Sequence, residues 1–196
     1  MGGSALVAYH RPDRLFDLRF SHWGATECRL TDEITTETPL ARGQVDSERL
    51  ADAVARDRIL TEYLDPQGHD VLYLVSTSFG VDAYRVWWLG WSDGRSCGRG
   101  ALIETAPGER DHHLRTWFRA TKAVLADSIE MGVLSRRAAG AYLEARVCED
   151  QDGHVYTYGT EDEGAGAGGS TDDRVGHWFG FDDPPDPDRS PYGDDR

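Results

Sequence analysis

Alternation organises the first stretch of the chain. Residues 5–9 are apolar, Arg11-Pro12-Asp13-Arg14 carries a proline that presets φ for a turn, and Phe16, Leu18 and Phe20 then alternate with Asp17 and Arg19. A period of two with one apolar face predicts a β-hairpin over residues 5–21. Residues 24–44, with TDEITTETPL closed by Pro39 and Gly43, fit either a short helix or an irregular excursion. Over residues 46–64 the period lengthens. Leu50, Val54, Ile59, Leu60 and Tyr63 approximate one helical stripe, Asp46 or Ser47 serves as N-cap and Pro66 as the stop.

The centre reads as strand again. The unbroken apolar run at residues 71–75 suits a strand covered on both faces. After a turn at Gly80-Val81-Asp82 the chain returns with Tyr84, Val86 and Trp88 on one face and Arg85, Trp87, Leu89 and Trp91 on the other. A second turn falls at Ser92-Asp93-Gly94, and residues 101–105 form a further strand.

Residues 109–131 then form a long helix with Leu114, Trp117, Phe118, Val124, Leu125 and Ile129 inward, ended by Gly132. Ser135 caps a second helix to about residue 147, with Tyr142 and Leu143 inward, and residues 153–158 form a last strand. The expected fold is one α+β domain over residues 4–158. An antiparallel sheet of two hairpins is covered by the 46–64 helix and by a helical hairpin over 109–147.

Beyond residue 158 the pattern dissolves into the Gly- and acid-rich TEDEGAGAGGSTDDR and ends in DDPPDPDRSPYGDDR. Such composition predicts a flexible, disordered acidic tail over residues 159–196. Trp178, Phe179 and Phe181 interrupt it, and bulky aromatics in such a segment predict docking on a partner or on the domain itself.

Charge sharpens this division. The net charge of the 196 residues is −14, yet residues 149–196 hold 14 Asp and Glu against 3 Arg, a net of −11. The remaining 148 residues therefore carry only −3, so the body does not repel polyanions as a whole. Asp outnumbers Glu 23 to 12, and Lys122 is the single lysine among 21 basic residues. A GC-rich genome accounts for the arginines; an acidic surface kept soluble in molar salt accounts for the carboxylates as well. In such salt the Debye length is about 3 Å, so exposed charges steer little.

Several classes are excluded. No run approaches the ~20 apolar residues of a membrane span. Three cysteines, at 28, 97 and 148, do not make a disulfide scaffold. The opening MGGSALVAYHRPD lacks the basic and apolar regions of a secretory leader, and cysteines without a CxxC pair suggest reduced thiols in a cytoplasmic setting. Phosphate-loop, dinucleotide, zincin and nucleophile-elbow motifs are absent.

The remaining candidates are constellations. Arg115, Arg119 and Lys122 recur at i, i+4 and i+7, roughly opposite the apolar side of the long helix, and Arg136 and Arg137 open the next helix. Together they form a candidate anion- or partner-binding face, since a helix N-terminus carrying arginines suits an anion. Trp87, Trp88 and Trp91 beside Arg85 have the composition of a base-stacking strand, and also of plain core. His22 and Cys28 form the candidate catalytic pair if the chain doubles back, a Cys–His arrangement being able to generate a thiolate. Glu109, His112 and His113 share a helix face but supply too few ligands for a metal site, so neither metal nor cofactor is expected. LADSIEMGVLSRRAAGAYLEAR faintly resembles a helix-turn-helix, although Gly140 weakens the second helix, and a packing hairpin is the simpler reading.

The segments ALVAYHRPDRLFDLRFSHWG, RLTDEITTETPL and WFRATKAVLADSIEMGVL resemble a family of small uncharacterised haloarchaeal proteins described as a domain of unknown function. The resemblance spans roughly residues 5–148 and implies a halophilic cytosol; it carries over no functional residue. The function expected is non-catalytic interaction or regulation. An unidentified protein partner would be met through the basic helical face or the aromatic tail, with no membrane contact. The alternatives are a small hydrolase-like enzyme using His22 and Cys28, and a nucleic-acid binder using the arginine-rich helical hairpin.

Overall fold

The structure is a computed structural model and describes residues 3–91 and 98–159. The expected turn at residues 92–94 lies outside the described residues. So does the tail from residue 160 on, with Trp178, Phe179 and Phe181. In chain order the elements are β1 (Ala5–His10), β2 (Phe16–Ser21), α1 (Leu30–Glu33), β3 (Ala51–Val54) and α2 (Arg56–Arg58), which continues as a single π turn (Ile59–Tyr63). They are followed by β4 (Val71–Val75), β5 (Val81–Trp88), β6 (Gly98–Thr105), α3 (Glu109–Glu130), α4 (Arg136–Gln151) and β7 (His154–Tyr158).

The fold is mixed α+β. All seven strands join one sheet in the order β3-β2-β1-β4-β5-β6-β7. The hairpin at residues 5–21 forms as its alternation predicts, with Ala5 opposite Ser21 and His10 opposite Phe16. The sheet is not purely antiparallel, however: β1 and β4 run parallel, Ala5 beside Val71 and Tyr9 beside Val75. Parallel neighbours need a crossover, and residues 22–70 supply it by way of β3 at the sheet's outer edge.

That crossover corrects a second expectation. Residues 46–64 do not form one helix. The edge of β2 needs hydrogen-bond partners, and the segment gives its backbone to that edge. Asp46 N–H donates to the Phe20 carbonyl at 2.9 Å and Leu50 N–H to Leu18 at 2.8 Å. Val54 then pairs with Phe16, across a register shift at which Ala53 takes φ 51°. Leu50, assigned to the stripe, is 53% exposed.

Register sorts the apolar residues onto two faces. Val7, Tyr73 and Ala83 face one side, where Ala25, Cys28, Leu30, Ile34, Ala41 and Val45 cover them. Further along the same side, Ala101 and Ile103 lie under Leu114, Phe118 and Leu125 of α3 and Ala139, Leu143 and Val147 of α4. Leu6, Leu72, Tyr84 and Tyr156 belong to the other side. There the Tyr156 hydroxyl donates to the Leu64 carbonyl at 3.0 Å, and Gly159 N–H to Thr61 at 3.0 Å. The segment after β3 thus reaches β7, and the sheet curls over a core containing Leu6, Leu18, Leu72 and Leu102. Gly100, paired with Tyr156, permits this closure because a Cβ there would overlap the tyrosine ring.

The helices end as their sequences dictate. Gly132, at φ 71°, follows the last turn of α3, with Gly132 N–H donating to Ile129 and Val133 N–H to Ser128. Both bonds of a Schellman cap are therefore present. The Ser135 hydroxyl accepts from Ala138 N–H at 3.1 Å and caps α4.

The buried stripe of α3 is rotated from the one expected. Asp111, Leu114, Phe118 and Leu125 are buried, whereas Val124 is 65% exposed; on α4, Tyr142 is 52% exposed. Spacings of three and four along Asp111, Leu114, Phe118, Lys122, Leu125 and Ile129 place a carboxylate and a lysine in the inward seam. Among the described residues, no helix is long and apolar enough to cross a membrane.

Candidate functional site

Lys122 follows Phe118 by one helical turn, so its stem enters the space between α3 and the far end of β5. There its ammonium donates to the Trp88 carbonyl at 2.6 Å. It lies over the rings of Trp88, Trp91 and Phe118, 5.0, 5.5 and 5.6 Å from their centroids. Cation–ring attraction is strongest where water is excluded. The same burial disfavours the ammonium and lowers the Lys122 pKa to about 8.

Lys122 lines a cavity of about 530 Å³ together with Trp88, Trp91, Phe118, Arg119 and Arg136. Among the described residues the Arg119 and Arg136 side chains make no hydrogen bond or ion pair, and the indole N–H of Trp91 is buried without an acceptor. Among the described residues the side chains lining it are mostly donors, with Glu130 the one acidic member.

Two neighbouring cavities extend this surface. One, of about 390 Å³, shares Trp91 and Arg136 and adds Arg137 and Arg99, the latter paired with Glu144 at 2.9 Å. The other, of about 540 Å³, shares Phe118 and Arg119 and adds Arg115, Arg85 and Trp87. The five basic residues singled out from the sequence thus line three adjoining cavities in the order Arg115, Arg119, Lys122, Arg136, Arg137. They do not all lie opposite the apolar side, because Lys122 points inward. The tryptophans supply the complementary wall: Trp87 stacks on Phe118 with centroids 4.4 Å apart and planes 5° apart.

Beneath Arg115 lies a junction that sequence reasoning missed. Arg85 of β5 and Asp111 in the first turn of α3 are 5% and 2% exposed. Arg85 Nε donates to Asp111 Oδ1 at 2.5 Å, and Nη2 to Oδ2 at 2.9 Å and to the Ala25 carbonyl at 3.0 Å. A bidentate pair of this kind fixes orientation as well as charge. The Cys28 thiol donates to Asp111 Oδ1 at 3.5 Å, and Arg115 approaches Oδ2 at 3.7 Å. The only legible hint was an arginine amid tryptophans on a strand; its partner lies 26 residues on.

The two catalytic candidates are not brought together. Cys28 is fully buried, and desolvation, against the opposing pull of Arg85, pushes its thiol up to about 12. His22 sits on the surface, edge-on to Phe20 with centroids 4.8 Å apart, its Nε2 3.9 Å from Asp46. It lines none of these three cavities. His112 and His113 are exposed, and no cluster of three or more metal-ligating side chains occurs among the described residues. The helical hairpin packs Ala139, Leu143 and Val147 inward against the sheet's α3–α4 core.

Comparison with known proteins places the chain in one family. The model of the family of unknown function DUF6735 matches residues 1–44 and 40–156, and the chain belongs to that family. No curated protein and no solved structure matches it.

Proposed function

We propose that the protein is a non-catalytic binding or regulatory protein. In this reading, the cavity between the Trp88–Trp91 end of β5 and the α3–α4 pair grips an acidic, ring-bearing segment of a partner protein. The observation that carries it is the convergence of Arg119, Lys122, Arg136 and the unpaired Trp91 N–H on one aromatic-walled space. Donors without acceptors call for an acceptor-rich ligand. Aromatic walls call for a ligand with flat or apolar groups between its charges.

The Asp-rich, lysine-poor composition supports a halophilic setting for this activity; the haloarchaeal and cytoplasmic parts of the proposal rest on the resemblance and on the cysteine pattern. Molar salt erases long-range attraction but screens partly buried pairs much less. A cavity that pairs charges at contact range suits that solvent better than an exposed basic face. The aromatic motif of Trp178, Phe179 and Phe181 is a second contact surface in this proposal, resting on the sequence alone.

Fluorescence anisotropy tests the proposal. The full-length chain is titrated in high salt against a labelled synthetic peptide in which aspartate pairs flank Trp and Phe. Saturable binding is expected, weakened about tenfold by Lys122→Met and more by Lys122→Met combined with Arg136→Gln. Equal binding by these variants, or tighter binding of an oligothymidylate than of the peptide, would overturn it. The latter outcome would favour the nucleic-acid alternative.

A further inference from the structure

The cavity of about 540 Å³ differs in chemistry from its neighbour. It opens between the start of β1 and β4, the turn at residues 25–27, and α3. Arg115 and Arg119 project into it from successive turns of α3, while Glu27 and Asp70 line it from the other elements. Glu27, Asp70 and Arg119 make no side-chain hydrogen bond or ion pair among the described residues. Charges of both signs thus border one space without neutralising each other across it. The stacked Trp87 and Phe118 rings supply an apolar wall between them.

The space is built rather than incidental. Arg85, 95% buried, sits at its base with its charge already met by Asp111. The turn carrying Glu27 is tied down from three directions. Arg85 Nη2 donates to the Ala25 carbonyl, Ala25 N–H donates to the Gly3 carbonyl at 3.1 Å, and the Tyr73 hydroxyl donates to the Gly24 carbonyl at 2.6 Å. Glu27 and Cys28 are both held at φ 54°, a left-handed conformation unfavourable for either residue. Backbone held there against its preference concentrates at ligand-binding positions.

We propose that this cavity binds a free α-amino acid with an apolar side chain, its carboxylate on Arg115 and Arg119, its ammonium on Glu27 and Asp70, and its side chain on Trp87 and Phe118. A ligand with only one charge leaves the opposite pair unanswered, which is how a site rejects the wrong partner. The volume falls in the range of small-molecule sites. The two cavities share Phe118 and Arg119, but Arg115, Glu27 and Asp70 line this one alone, so its test is distinguishable from that of the peptide-binding proposal.

Isothermal titration calorimetry on the full-length chain tests it, with L-leucine, L-methionine and L-phenylalanine as probes. At least one is expected to bind, with its N-acetyl derivative and its methyl ester each about tenfold weaker or worse. Arg115→Gln and Glu27→Gln should each weaken the zwitterion about tenfold. No binding by any of the three probes would overturn the proposal. So would equal affinity for an N-acetyl derivative, or unchanged affinity in both variants.

Discussion

A buried cation and a half-buried one sit at the contact of α3 with the sheet in different ways. Arg85 reaches it from the sheet and finds a carboxylate waiting: Asp111 takes both arms of the fork at 2.5 and 2.9 Å. Lys122 leaves the helix for the sheet and finds no carboxylate, only the Trp88 carbonyl and three rings. The first charge is closed within the fold and holds the helix N-terminus, β5 and the 25–28 turn in one arrangement. The second is held in place but has no counter-ion among the described residues; the exposed Arg119 and Arg136 beside it are likewise unpaired there. A built-in partner marks a structural charge; its absence next to an open cavity is what the binding proposal rests on.

Substitutions at each cation site test this contrast. Asp111→Ala strands Arg85 in the interior, and urea denaturation should show a loss of about 3–5 kcal/mol. Replacing both members, Arg85→Met with Asp111→Leu, should recover most of that loss, since a packed apolar pair often equals a buried ion pair. If the single change costs nothing, Arg85 is not closed within the fold.

Lys122→Met should alter stability by no more than about 1 kcal/mol at neutral pH, an apolar stem replacing a stem already buried among rings. Its effect is pH-dependent with a definite sign. The folded value of about 8 lies below the ordinary 10.5, so between them the unfolded chain holds a proton that the folded chain has released. Stability of the wild type relative to Lys122→Met should therefore rise from about pH 8 to about pH 10.5. Melting temperatures of the two proteins across that range check it; a falling difference would contradict the burial of Lys122.

The smallest expected effect concerns Cys28. Its raised pKa and burial predict no labelling by iodoacetamide in the folded protein, while the exposed Cys148 reacts. Peptide mapping by mass spectrometry distinguishes the two, and labelling of native Cys28 would reopen its catalytic reading.

Local pattern made much of this legible. Phe16, Leu18 and Phe20 announced a strand, residues 71–75 a buried one, and Gly132 and Ser135 the break between two helices. It failed where a residue's conformation serves a distant partner. Leu50 and Val54 fit a helical period, but their segment answers the unpaired edge of β2, and no periodicity records that debt. Arg115, Arg119 and Lys122 were visible because i, i+4 and i+7 spacing is local, and Arg136 and Arg137 because they open the next helix. That Lys122 turns inward while Val124 turns out follows from α3 seating Asp111 on Arg85, a pairing set by the sheet. The parallel meeting of β1 and β4 was hidden for the same reason: each strand's pattern is consistent with either direction of neighbour.

In the proposed reading an acidic partner is held in the Lys122 cavity. Hydrogen–deuterium exchange of the full-length chain, with and without the acidic–aromatic peptide in high salt, tests it most directly. Slowed exchange is expected over residues 88–91 and over the segment from Phe118 to Arg137, with the β2–β3 edge unchanged. Exchange unaltered in those segments under saturating peptide, or protection confined to residues 46–58, would contradict it.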